Sequence, residues 1–134
     1  MSILSQPSVK RKGRSQLELD LDEKSRRDPV VLCQCAKYRR SEGDHDAAFK
    51  YFTEAAELGD FDAHYQLSCL YREGEGVEED EKKILFHLKE AAIAGHPIAR
   101  HNLACYEGRN FRFDRAVKHF IIAANLGYDQ LTQR

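Results

Sequence analysis

Glycine and proline are scarce in this chain of 134 residues, eight and three respectively. Together they make up about 8% of the chain against roughly 12% in average usage, which disfavours a turn-dense all-β fold and a collagen-like one. Long apolar runs are missing as well. Segments such as Ile84-Leu85-Phe86 stop after a few residues, where a helical bilayer span needs about 20, so no membrane partner is expected. Charge of one sign is also lacking, since 21 basic and 22 acidic side chains leave a net charge of −1. That balance removes the electrostatic argument for a nucleic-acid partner. Met1 to Gln16 holds no apolar stretch of the secretory kind, so a reducing, intracellular and cytoplasmic setting is expected. Signatures of catalysis are absent too. There is no Walker loop, HExxH or GxSxG, and Gly74-x-Gly76 is followed by acids instead of a third glycine. The expectation is therefore no enzyme, no cofactor and no small-molecule substrate.

What is present reads as one soluble domain, with 42% hydrophobic and 32% charged residues. Residues 1–28 differ in composition from the rest. They carry Lys10-Arg11-Lys12-Gly13-Arg14, then Leu17-Glu18-Leu19-Asp20-Leu21-Asp22, and no aromatic side chain. This reads as a mobile charged arm. The basic run could serve as a nuclear-import address, and the alternating leucines as a docking peptide. Asp28-Pro29 then gives a helix start, because Asp caps free N–H groups and Pro suits the first helical position.

From there the chain repeats itself. Tyr51 to Gly59, His87 to Gly95 and His119 to Gly127 share the pattern aromatic, apolar, two residues, Ala-Ala, two residues, Gly, and the glycines lie 36 and then 32 residues apart. Ala63 to Cys69 recurs as Ala99 to Cys105. Each repeat then holds two helices, A and B. In helix B, Phe49, Phe52, Ala55 and Ala56 sit at i, i+3, i+6 and i+7. Leu85, Leu88, Ala91 and Ala92 copy that spacing, as do Val117, Phe120, Ala123 and Ala124, which makes one face apolar. The paired alanines let the next helix A, with Ala63 and Leu67 or Ala99 and Leu103, approach closely. Gly59, Gly95 and Gly127 supply the left-handed residue that ends each B helix.

The leading Ala-x-x-x-Leu, the loop Tyr71-Arg72-Glu73-Gly74-Glu75-Gly76-Val77, the following Asp80 and the Ala91 to His96 segment together resemble the Sel-1-like repeat, a cousin of the tetratricopeptide repeat. The resemblance implies an all-α fold: a right-handed α-solenoid of about three stacked helix-turn-helix repeats, acting as an interaction scaffold without a cofactor. The units are read as about 29–59, 60–95 and 96–127 within a domain spanning 29–134, with a truncated fourth unit at 128–134. The third unit departs from the pattern, with Gly108-Arg109-Asn110-Phe111-Arg112-Phe113 in place of the Gly-x-Gly loop, so its turn should differ. The cut at 128–134 leaves the last apolar face uncapped, which suggests either a fragment of a larger repeat protein or self-association through that end.

Several residues invite a chemical reading and receive a structural one. Cys69 and Cys105 share one slot in successive repeats, at about 9 to 10 Å by helix-packing distances, too far for a disulfide. Cys33-x-Cys35 lacks the spacing of a zinc pair. His101 and Cys105 lie i, i+4, with His96 before them, but a metal site needs more ligands, so no metal is assigned. His87 and His119 align with Tyr51 as one slot for a large amphipathic side chain. The acids Glu73, Glu75, Glu78, Glu79, Asp80 and Glu81 suit a solvated loop and a helix start, with a basic partner segment as the functional alternative. A concave groove lined by helix A is the candidate binding surface, with His64, Gln66, Arg100 and Asn102 as contacts for a protein or peptide partner. Two further classes remain open, a regulatory piece of a larger protein and a small Cys/His-dependent hydrolase or metal protein.

Overall fold

The computed structural model describes residues 23–127, so the basic run at 10–14, the leucines at 17–21 and the segment 128–134 lie outside the described residues. A single helical turn, α1 (Glu23–Arg26), forms the last part of the expected arm. Six helices of 13 residues follow: α2 (Pro29–Ser41), α3 (His45–Glu57), α4 (Phe61–Glu73), α5 (Glu81–Ile93), α6 (Pro97–Arg109) and α7 (Phe113–Asn125). No strand occurs among the described residues, and none of their helices is long and apolar enough to cross a membrane. Helices α2/α3, α4/α5 and α6/α7 are the three hairpins, and each B helix packs on the next A helix, which makes a helical solenoid.

Local chemistry sets the helix starts. Asp28 accepts from the Val30 amide, Asp44 from Ala47, Asp60 from Ala63, and Asp80 from Lys82 and Lys83. Helix α6 is capped by His96, whose Nδ1 accepts from the Ala99 amide at 3.3 Å, with Pro97 in its first turn. Gly59, Gly95 and Gly127 follow α3, α5 and α7 at φ near +95°.

The repeat lengths have a single cause. Both links between hairpins, 58–60 and 94–96, are three residues long. Within hairpins, the turns 42–44 and 110–112 also have three residues, whereas 74–80 has seven. In the first turn Gly43 adopts φ 82°. In the third, Phe111 holds the equivalent left-handed position at φ 63° with its side chain 80% exposed. The longer middle loop folds back on the first hairpin, and a Cβ on Gly76 would come within 2.9 Å of the His45 Cβ, which explains the second glycine of Gly-x-Gly.

The core is two apolar seams. Leu32, Cys33 and Ala36 of α2 join Ala48, Phe52, Ala55 and Ala56 of α3 and Ala63, Leu67 and Leu70 of α4 in the first. Leu88, Ala91 and Ala92 of α5 meet Ala99 and Leu103 of α6 in the second. The alanines carry no bulk beyond Cβ, so helix axes come close and the larger Phe52, Leu67 and Leu88 interlock between them. Each end hairpin also holds a charge pair across its turn. Arg39 Nη1 lies 3.1 Å from Asp44 Oδ2, with both side chains under 10% exposed, and Arg112 Nη1 lies 3.0 Å from Glu107 Oε1. Arg39 and Glu107 occupy the same helical position, so the pair recurs with its polarity reversed.

Candidate functional site

The A helices α2, α4 and α6 stand side by side, and their mutual contacts are polar where the B-to-A seams are apolar. Lys37 Nζ of α2 lies 2.9 Å from Asp62 Oδ2 of α4. Asp62 Oδ1 in turn faces His96 Nε2 at 3.5 Å. Because His96 Nδ1 accepts from a backbone amide, the ring proton sits on Nε2 and points at Asp62. Hydrogen bonds from His96 and Lys37 hold the Asp62 carboxyl down to about 2. Tyr65 stacks on His96 with ring centroids 4.6 Å apart, and burial pushes its hydroxyl up to about 12.

One helical turn further along, Arg40 ties three partners together. Its Nε donates to Glu75 Oε1 at 2.9 Å, its Nη1 to Gln66 Oε1 at 3.1 Å, and its Nη2 to Glu73 Oε1 at 3.1 Å. The Glu75 bond raises the guanidinium pKa and lowers that of Glu75. Glu73 and Glu75, read from sequence as loop acids, thus bind the previous repeat, while Asp80 caps α5 and Glu81 opens it.

The four residues nominated as one groove divide between two surfaces. His64 and Arg100 are at the fourth position of their A helices, and Gln66 and Asn102 are at the sixth. Two residues apart on an α-helix is about 200°, so each pair points to opposite sides. Gln66 and Asn102 face the neighbouring A helix, where Gln66 accepts from Arg40 and Asn102 bonds Tyr65. His64 and Arg100 face the B helices. His64 Nδ1 lies 2.9 Å from His87 Nδ1, and Arg100 Nη1 lies 3.2 Å from His119 Nδ1. His64 also bonds the Ala56 backbone, and Arg100 Nη2 donates to the equivalent Ala92 carbonyl at 3.0 Å. Both side chains therefore close the C-terminal turn of the preceding B helix, where free carbonyls favour a donor. Burial, then the neighbouring His64 and Lys83, lowers the His87 pKa to about 4.

The packing residues occupy the seams. Ala55, Ala63, Ala91, Ala92 and Ala99 are fully buried, and Ala56, Leu67, Leu103 and Ala123 nearly so, but Ala124 is exposed.

The chemistry-bearing side chains are held apart or already engaged. All four cysteines are free thiols, with Cys33, Cys35 and Cys69 buried. Cys105 Sγ is 3.6 Å from His101 Nε2 on one helix, while His96 leaves that pair to cap α6. Cys33, Asp60 and Asp62 bring donor atoms within 4.8 Å of one another. Each is already engaged. The Cys33 thiol donates to Asp60 Oδ2 at 3.0 Å and is pushed up to about 12 by burial and then by that bond. The same Asp60 oxygen accepts from the Ala63 amide, and Lys37 neutralises Asp62.

The sequence profile described as "Sel1 repeat" matches residues 38–60, 61–96 and 97–128. No curated protein matches the sequence significantly. Among solved structures, a Sel1 repeat protein from Oxalobacter formigenes superposes with a TM-score of 0.75 at 21% identity, over 83% of this chain and 49% of that one. The chain thus spans about half the length of this structural relative, and at that identity the likeness concerns the fold.

Proposed function

Because the chain belongs to the Sel1 repeat family, we propose that it is a non-enzymatic protein-interaction scaffold whose A-helix face holds an extended peptide or a helix of a protein partner. The observation that carries this reading is the polar ribbon across α2, α4 and α6. Its side chains remain accessible, with Lys37 45%, Arg72 50%, Glu73 46% and Asp62 29% exposed, yet ties between repeats already fix several of them. Side chains ordered before binding lose less entropy when a partner arrives, which favours recognition by side-chain hydrogen bonds. In this reading Gln66 and Asn102 support the ribbon from between the A helices, and His64 and Arg100 lock the hairpins behind it.

The test uses the chain as bait with crosslinking and mass spectrometry. Captured protein should crosslink to α2, α4 or α6. A variant carrying Lys37→Glu and Arg72→Glu should lose that capture with helicity intact, whereas Lys82→Glu with Lys118→Glu on the B helices should retain it. Capture unchanged by the first variant, or crosslinks confined to the B helices, rejects the assignment.

A further inference from the structure

Helix α7 offers a second surface, distinct from the polar ribbon. In the inner seams the eighth residue of each B helix is covered by the following A helix: Phe52 is 0% and Leu88 5% exposed, but Phe120 is 40% exposed at the same position. Phe113 and Val117, 61% and 54% exposed, lie on the same stripe at i, i+4 before Phe120 and Ala124. Ile121, 55% exposed, borders it where α3 carries Thr53 and α5 carries Lys89. The apolar surface of α7 is therefore wider than the stripe an A helix covers in the inner seams. Phe111, with its ring 6.1 Å from Phe113, extends it past the N-terminus of the helix.

We propose that α7 is the contact through which two copies of this chain pair, antiparallel about a two-fold axis. Three considerations select a second copy as the occupant. The exposed parts of Phe111, Phe113, Val117, Phe120 and Ile121 amount to about 600 Å² of largely apolar surface, close to the roughly 800 Å² per partner of a stable interface. A two-fold contact must be self-complementary. The stripe meets that condition, because an antiparallel pair centred between Lys118 and His119 sets the large Phe113 beside the small Ala124 of the second copy, and Val117 beside its Phe120. Antiparallel α7 helices also oppose their dipoles. Finally, the contact continues the established seams of the solenoid, which already bury this stripe on α3 and α5.

Sedimentation equilibrium of the full chain should give twice the 15.4 kDa mass at roughly 200 µM, well above the micromolar upper end of dissociation constants for standard-size interfaces. One variant carries Val117→Glu with Phe120→Glu, the other Val117→Lys with Phe120→Lys. Each alone should weaken pairing by about 100-fold or more, since like charges then face each other, while circular dichroism remains helical. An equal mixture should restore a dimer that contains one copy of each. A wild-type chain that stays monomeric at that concentration overturns the proposal and leaves the stripe to a different occupant. Dimers that survive in both variants, or a mixture that stays monomeric, overturn it as well.

Discussion

Phe52 and Phe120 are the same residue at the same helical position of two B helices, and they should respond very differently to truncation. Phe52 is fully buried. Its replacement by alanine gives up roughly 100 Å² of buried apolar area, about 2.5 kcal/mol, and opens a cavity in a seam whose helices cannot close around it. The expected cost of Phe52→Ala is about 3 to 5 kcal/mol. Phe120 is 40% exposed, so Phe120→Ala forfeits only part of the transfer energy, and the space left behind opens to water. Its expected cost is about 1 to 2 kcal/mol. Urea unfolding followed by circular dichroism, at a concentration where sedimentation shows a single copy, reads both values. A gap of about 1 to 4 kcal/mol is expected. Equal costs, or a larger cost at Phe120, would refute the claim that one stripe is sealed and the other open.

Three further outcomes follow from the geometry. Phe111→Gly should raise stability by about 0.5 to 1 kcal/mol, because Phe111 holds a left-handed backbone and buries little in return, whereas Gly43→Ala should lower it by about 1 kcal/mol; a lower melting temperature for Phe111→Gly would contradict this. Arg39→Ala should cost about 3 to 5 kcal/mol by stranding buried Asp44, and Arg39→Glu with Asp44→Arg, which copies the order of Glu107 and Arg112, should recover part of that loss in thermal melts. The folded-state pKa values of His64 and His87 lie below the ordinary 6.5, so the unfolded chain binds more protons under mild acid. Their contribution is complete above pH 6.5 and is lost as pH falls towards about 4. After discount for the exposed part of His87 its own share is about 1 to 2 kcal/mol, and a His87→Gln variant with an unchanged pH profile would exclude the pair as its source.

Much of this architecture is legible in the residues themselves. Asp28-Pro29, Asp60 and Pro97 mark helix starts that the structure shows, and the first two alanine pairs, Ala55-Ala56 and Ala91-Ala92, lie in two buried seams because nothing larger fits at those close approaches. The binding surface is harder to read. His64 and Gln66 are polar neighbours in sequence, and only the 100° step of the helix reveals that they serve opposite sides, a signal carried by their spacing alone. His96 invited a metal reading from its place before His101 and Cys105, yet its position directly after Gly95 matches that of Asp60 after Gly59, and alignment of the repeats would have marked it as a cap. Lys37 with Asp62 depends on how two A helices stack, which no local pattern encodes. The left-handed Phe111 is equally hidden, since phenylalanine carries no preference for that backbone, and only its register with Gly43 discloses it.

The constant three-residue links between hairpins, set against a hairpin tip that spans either three or seven residues, make this chain tolerant of change at one end only. Splicing foreign sequence between Glu78 and Glu79, past the contacts of Glu75 and Gly76 with the first hairpin, would lengthen an appendage while neighbouring layers kept their pitch. A single residue added at 58–60 or 94–96 would instead shift the following helix against the seam, carry its small side chains out of the joint and break the solenoid in two. Loop grafts for reporters or affinity handles therefore belong at the tips, and duplication or exchange of whole hairpins should cut within the short links.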